Sequence, residues 1–450
     1  MSRRVVITGL GPVSGLGLGM EAFWSGLVAG RSAISRIESF DPGGFPCQIA
    51  SEVPAFKVRD YVPKSYRKAI KVMASDIEYA VAAADLAARD AGLVTAGTDP
   101  GQETTYDSAR VGCHIGAGLI ATEINELTSA LAEARDDQGQ FDIHKWGESG
   151  MGHLTPLWLL KYLPNMLACH VTIVHDCQGP SNTITCAEAS AGLSIGESLR
   201  VIQRGAADAC FCGGAEDKLN PMAYLRQIFT NRLNTESNDN PDNAVRAFDE
   251  NANGMIAGQG GAITFLESVD TFNERKATAN SDAATPKAYA EVAGFGASQT
   301  LHQSTRNHEP DPEGKGIALA IKKALADANL TADEVDLIVP FGIGVPAYDK
   351  AEAAALQSVF GTRVKEIPLV STKPFVGNCF SGAGGLDACV AANAIYTQHI
   401  PARINCDNPI ADLNVTNAPA QDAKVSVALT YGASLGGQNA ALVLKRFEEA

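Results

Sequence analysis

The sequence predicts an α/β protein built in layers, with sheets that are at least partly parallel, and two observations predict it. Runs that read as short buried strands alternate with runs that read as helices along the whole chain, the pattern of successive βα units. The second half also echoes the first. Residues 335–341 running into Gly342-Ile-Gly344 echo residues 5–11, and the small-residue run Ser381-Gly-Ala-Gly-Gly385 feeding a helix at 386–398 echoes the run from Ser190 onward. With 450 residues, of which 45% are hydrophobic, the chain can bury a large core and could hold two or three ordinary domains.

In chain order, residues 5–8, 110–115, 182–186 and 209–212 are predicted as short buried strands, because β-branched and small apolar residues fill them. Ser75-Asp-Ile-Glu78, followed by alanine-rich text to Ala91-Gly92, predicts a helix with Ser75 as its N-cap and Gly92 as its stop. Residues 190–203, stopped near Gly205, predict a second helix. The hydrophilic stretch 273–287 predicts a surface connection. It divides a single unit, 1–450, into an N-terminal half (1–267) and a C-terminal half (288–450).

Composition narrows the function. No run of about 18 uncharged apolar residues occurs, so no membrane span is predicted, and the first residues lack the apolar core of a signal peptide. A cytoplasmic protein is the expectation. The ten cysteines are scattered singly apart from Cys210-Phe-Cys212, and they are predicted to be reduced core residues rather than a disulfide framework or a metal site. Gly9-Leu-Gly11 is too short for a dinucleotide fingerprint, so no cofactor is predicted. A net charge of −15 argues against nucleic acid as a partner. Locally, Lys57, Arg59, Lys64, Arg67, Lys68 and Lys71 stand against Asp60 alone. They form either a solvated helix face or a docking patch for an acidic partner.

The most informative stretch is Thr183-Ile-Thr-Cys-Ala-Glu-Ala-Ser-Ala-Gly192, followed by Cys212-Gly-Gly-Ala-Glu216. Around it stand Arg3-Arg-Val-Val-Ile-Thr-Gly-Leu-Gly-Pro-Val-Ser14, Phe248-Asp-Glu-Asn-Ala-Asn-Gly254, Ser371-Thr-Lys373, Ile404-Asn-Cys-Asp-Asn-Pro409 and Gly436-Gly-Gln-Asn439. In this order and spacing they resemble the β-ketoacyl synthase family over nearly the whole chain. The resemblance implies the thiolase-like fold, two similar halves packed in five layers, α-β-α-β-α. Residues of about 115–165 would be the family's cap insertion over the acyl channel. The first strand would end in a glycine turn.

Carried over residue by residue, the resemblance leaves the family's chemistry incomplete. A condensing enzyme holds the acyl chain on a thiolate and uses two histidines for decarboxylation and enolate stabilisation. Counting back from Gly213-Gly214-Ala215-Glu216 puts the thiol's place on Glu188, and Cys186 falls two positions early. The first histidine's place, in Val339-Pro-Phe-Gly-Ile-Gly-Val345, holds Phe341, and the second's, after Ser371-Thr-Lys373, holds Asn378. The threonines that bond the pantetheine arm correspond to Ile343 and Val345, a loss of about 1 kcal/mol per bond. The gating phenylalanine corresponds to Leu435. Lys373 and Glu352 match a supporting ionic pair, and Arg67-Lys68 matches the basic pair that docks the acyl carrier protein.

A carboxylate at a helix N-terminus is favoured by about 0.3–1 kcal/mol. Glu188 is therefore a good structural substitute, whereas as a nucleophile it would form a mixed anhydride that ends in hydrolysis. Asn378 could donate to an oxyanion. Cys186, in its strand, and Cys379 are not expected to be catalytic. His114, His170 and His175 are expected to be core or interface residues. The predicted function is a ketosynthase-like subunit of fatty-acid or polyketide biosynthesis that cannot condense by itself. It would resemble a chain-length factor, receive acyl carrier protein and form a homodimer or a heterodimer with an active ketosynthase. Two alternatives stay open: an enzyme using Glu188 for another acyl-thioester reaction, and an acyl-binding homodimer.

Overall fold

The computed structural model describes residues 3–278, 285–300 and 309–449. In the first half, strands β1 (Val5–Ser14), β2 (Val111–Gly116), β3 (Ser181–Ile184), β4 (Ala209–Glu216) and β5 (Gly260–Ser268) lie in the spatial order β3-β2-β4-β5-β1. In the second half, β6 (Ala290–Gln299), β7 (Leu337–Val339), β8 (Val427–Ala433) and β9 (Gln438–Lys445) lie in the order β7-β8-β9-β6. The pairings match step for step. β2 with β4 and β7 with β8 are parallel, while β4 with β5, β5 with β1, β8 with β9 and β9 with β6 are antiparallel. The counterpart of β3 is a single parallel bridge, Ile338 to Leu369.

The halves therefore repeat, with one correction to the predicted alignment. The counterpart of residues 5–14 is β6, and the stretch predicted to echo them, 335–341, is the counterpart of β2. Glycine packing explains why. Gly9 and Gly11 form no turn but lie inside β1, where an added Cβ would collide with the carbonyls of Ala87 and Ala83 in helix α1 (Ser75–Asp90). Gly294 and Gly296 of β6 meet the carbonyls of Ala324 and Ala320 in the same way. A glycine pair two residues apart on a strand thus receives two helix turns four residues apart, bringing helix and sheet into close approach.

Helices complete five layers. α1 and α2 (Met166–His175) cover the outer face of the first sheet. α3 (Ser190–Gln203) and α6 (Ala383–Thr397) pack against strands of both halves and form the buried middle layer. α4 (Lys315–Asp327) lies on the outer face of the second sheet, and α5 (Pro346–Phe360) packs on α4. β1 and β6 pair antiparallel at Val6–Glu291 and Ile7–Ala290, joining the two sheets.

Local predictions hold with shifted ends. α1 begins one residue earlier than predicted, at Ser75 itself. Ala74 is the N-cap residue, with no side-chain cap bond, and Gly92 takes a φ of 69° at the stop. The 273–287 stretch is helical to residue 278, within Val269–Thr278, and residues 279–284 lie outside the described residues. The segment between β2 and α2 carries the short helices Ile124–Glu133 and Ile143–Glu148. It exposes Leu119, Leu131, Phe141, Ile143, Leu157 and Leu159. All ten cysteines are free thiols, eight of them buried. Among the described residues no helix is long and apolar enough to cross a membrane.

Candidate active site

The turn between β3 and α3 carries the site. β3 ends at Ile184, so Cys186 lies beyond the strand, at the start of a single turn, Ala187–Ala189, that leads into Ser190. Its N–H donates to Ser190 Oγ at 2.8 Å. Ala187 is held at φ 47°, in the left-handed region, at a cost on the order of 1–2 kcal/mol for a residue with a Cβ. This strained turn presents Glu188 inward, 1% exposed.

A buried carboxylate needs a partner, and sequence reasoning did not identify one. Arg232 Nη1 lies 2.8 Å from Glu188 Oε1, and the Arg232 side chain is 5% exposed. Asn378 Nδ2 donates to the same oxygen at 3.3 Å, and the Leu435 N–H reaches Oε2 at 3.5 Å. Burial alone would raise the Glu188 pKa. The Arg232 charge, with its hydrogen bonds and that of Asn378, more than offsets it, so the pKa lies below the ordinary glutamate value. The Arg232 guanidinium also stands 5.8 Å from the centroid of the Tyr348 ring. Arg232 follows the helix Pro221–Ile228, in a loop whose backbone bonds to the strand-like segment at Met255. No motif marks it. The one available signal was the physical requirement that a buried acid find a cation.

Phe341 is fully buried, with its ring 6.4 Å from Tyr348 and 5.9 Å from Lys373 Nζ. Asn378 is fully buried and pinned by its own backbone, its N–H donating to Ile256 O and its carbonyl accepting from Gly258. Ile343, Val345 and the half-buried Leu435 belong to one apolar cluster with Phe341 and Tyr348. The structure thus brings Glu188, Asn378 and Leu435 into direct contact and sets Phe341 behind them through Tyr348.

The predicted Lys373–Glu352 pair does not form. Lys373 Nζ pairs with Asp387 Oδ2 at 2.5 Å, because Asp387 projects from α6 toward it. Glu352, on α5, instead accepts the Gly342 N–H at 3.0 and 3.1 Å. Burial, then the neighbouring Asp349 charge, raise the Glu352 pKa well above the carboxylate range. Arg67 and Lys68 are exposed on the 3-10 stretch Lys64–Val72, and among the described residues neither forms a salt bridge.

Other nucleophiles and bases are quiet. Burial raises the Cys186 pKa and pushes Cys379 up to about 12. His114 bonds Ser198, His170 bonds Tyr66 and His175 bonds Thr95, each at 2.8–2.9 Å. Burial lowers His170 to about 4 and His175 to about 3. Around Glu188 there is therefore an ionised carboxylate neutralised by a guanidinium, an amide already engaged with it, and hydrocarbon. This set can hold charge and shape, and it offers neither a thiolate nor an imidazole to an acyl thioester.

The sequence matches two family models, the N-terminal domain of β-ketoacyl synthases over residues 2–271 and the C-terminal domain over residues 289–407. It is 32% identical over 449 residues to a 3-oxoacyl-[acyl-carrier-protein] synthase 2 of Coxiella burnetii, covering 99% of each chain. Among solved structures it resembles the ishigamide ketosynthase/chain length factor, at 29% identity and a TM-score of 0.80 over 100% of each chain. It also resembles a β-ketoacyl synthase from Burkholderia phymatum, at 25% identity and a TM-score of 0.82 over 99% of this chain and 100% of that one. A thiolase-like architecture with a strained turn at the first middle-layer helix, and a match to both domain models, together establish that this chain belongs to the β-ketoacyl synthase family.

Proposed function

We propose that this chain is a non-condensing, chain-length-factor-like subunit of fatty-acid or polyketide synthesis that works beside an active ketosynthase. The observation that carries this is the closed ion pair of Glu188 with Arg232, reinforced by Asn378, at the place the resemblance assigns to the family thiol. A carboxylate bound to a guanidinium and an amide is a weakened nucleophile, and its attack on a thioester would give a mixed anhydride that ends in hydrolysis rather than chain growth. The likeness to a ketosynthase/chain length factor structure supports the same reading.

Pairing with a second ketosynthase fold has its own support. β3 is an edge strand with Ser181 and Asn182 exposed, and unpaired strand edges are templates for another chain. The apolar side chains exposed between β2 and α2, together with Ile173 of α2, add to that surface. Exposed Arg67 and Lys68 suit the acidic helix surface of a carrier protein.

Coexpression with an active ketosynthase from the same system is expected to give a stable heterodimer. Intact mass spectrometry of this chain after incubation with acyl carrier protein thioesters is expected to show neither acylation nor thioester loss. Covalent acylation, hydrolysis abolished by Glu188→Gln, or an exclusive homodimer would each replace this reading with one of its rivals.

A further inference from the structure

At the end of β4 a second group of buried charges is out of balance. Glu216, Asp217 and Lys218 follow one another there, and Asp76, in the first turn of α1, faces them. All four are buried. Lys218 Nζ pairs with one Glu216 oxygen, and the other accepts the Ser381 N–H at 2.8 Å. Asp76 Oδ1 accepts the Asp217 N–H at 3.0 Å. The Asp217 carboxylate in turn accepts from Gln259 Nε2 at 3.2 and 3.1 Å and from the Leu219 N–H at 2.7 Å. Three carboxylates and one ammonium cannot all stay ionised away from water, so the cluster holds protons that exposed acids would give up. Glu216 keeps the lysine, which leaves Asp76 and Asp217 to share the proton. Burial, then the Asp217 charge, raise Asp76 to about 8, and burial raises Asp217 as well.

Over this cluster runs the stretch 117–123, which has no regular secondary structure. A Cβ added to Gly118 would fall 1.7 Å from a Glu216 oxygen, so the chain is seated directly on that carboxylate. Lys218 Nζ donates to Leu119 O at 2.7 Å, and Asn220 Nδ2 donates to Ala121 O at 3.1 Å. The side chain of the same Leu119 points outward, 61% exposed, and belongs to the apolar surface between β2 and α2. Other ionisable groups lie within electrostatic reach. Glu78 and Tyr79 come from α1, Glu123 from the stretch itself, and Glu52, Lys161 and Cys379 from the segments around them. Burial raises Tyr79 well above its ordinary value and Cys379 to about 12, so neither ionises in mildly alkaline solution.

We infer that this cluster is a proton-operated fastener: the proton shared by Asp76 and Asp217 keeps residues 117–121 seated on Glu216 and Lys218, and its loss in mildly alkaline solution admits water beneath them and frees them. The stretch is the weakest wall of the cluster, since side chains rather than a strand or helix ladder hold it. Its release rearranges the apolar surface that carries Leu119. None of this depends on the reading of Glu188, which lies at the other turn, so the failure of one leaves the other standing.

The test is hydrogen exchange of the full chain, with peptides covering residues 117–123 followed by mass spectrometry between about pH 6.5 and 9. Each rate is divided by that of the same unfolded peptide at the same pH. Protection is expected to be level at the acid end and to fall at least tenfold toward the alkaline end, while that of α4 stays constant. Asp76→Asn, which keeps the size of the side chain and cannot ionise, is expected to keep protection level throughout. Level protection in the wild type overturns the fastener, as does a fall in Asp76→Asn equal to that of the wild type. An equal fall in α4 overturns it too, because the opening is then global. Should Asp76→Asn fail to fold, the wild-type series with α4 as its internal control still decides the matter.

Discussion

Two turns in this molecule share a backbone and differ in everything attached to it. One runs from Cys186 to Ser190 into α3, the other from Cys379 to Ala383 into α6. Each has a cysteine followed by a residue other than glycine at φ 47°, Ala187 in the first and Phe380 in the second, then a single 3-10 turn and a middle-layer helix. At the first, an acidic side chain points into the core and takes a guanidinium. At the second, the Ser381 N–H donates to Glu216 Oε2 at 2.8 Å and its Oγ bonds Ala215 O at 3.1 Å. The strained conformation recurs at a turn that presents a serine to a backbone carbonyl and a carboxylate, so it belongs to the fold of both halves, and the two turns differ in which side chain each presents.

The same pair of elbows explains the Gly213-Gly-Ala-Glu216 motif. An added Cβ at Gly214 would collide with the Ser381 carbonyl, and Gly213 is held at φ 138°. Glu216 then supplies the acceptor for Ser381. The motif brackets the second elbow, and Gly116 makes the equivalent room beside Ser190 and Ala191 at the first.

The largest expected effect separates the elbows by charge. Arg232→Ala strands an ionised Glu188 in the core and should destabilise the protein by about 3–5 kcal/mol, read as a lower urea midpoint, while Glu188→Gln with Arg232→Met should recover most of it. Loss no larger than that of a surface arginine would mean that the pair is not desolvated. Next, Phe380→Ala should cost about 3–5 kcal/mol, because the ring anchors the second elbow in the core. Gly214→Ala should cost about 1–3 kcal/mol by pushing Ser381 away, measured by thermal unfolding. Ala187→Gly is the opposite case: relief of the left-handed strain, less the added unfolded-state entropy, should stabilise by about 1 kcal/mol or less. A destabilising result there would show that the Ala187 methyl packs as Phe380 does.

Titration offers the gentlest lever and again divides the two. Glu188 has a depressed pKa, so its stabilisation is present above the ordinary glutamate value and fades as pH falls through the lower folded value. Near the second elbow, Asp76 and Asp217 are buried beside the Glu216–Lys218 ion pair. Burial first, then the Asp217 charge, raise Asp76 to about 8. The proton held there favours the folded state at low pH, and its contribution is lost as pH rises from the ordinary aspartate value through about 8. Asp76→Asn is expected to flatten that slope between the ordinary aspartate value and about pH 8 in a stability-versus-pH series, while leaving the loss below the ordinary glutamate value, set by Glu188, unchanged.

Much of this was legible in the chain itself. Alternating patterns placed the strands and helices, Gly92 ended α1 as predicted, and the ordered motifs located Glu188 at the elbow, because each of these is written within a few residues of itself. The misreadings share a cause. Gly9 and Gly11 looked like a turn because a glycine pair is ambiguous until the helix that presses on it is known. The echo of residues 5–11 was assigned to 335–341 because both are strands followed by glycines, and only the pairing order identifies β6 as the true counterpart.

By itself, then, the sequence determined the architecture and the identity of the residue at the elbow, since local periodicity and short motifs depend on neighbours along the chain. Tertiary structure alone decided the partners: Arg232 for Glu188 across 44 positions, and Asp387 rather than Glu352 for Lys373. A buried charge takes whichever counter-ion the packing of loops and helices delivers, and nothing in the spacing of the residues encodes that delivery.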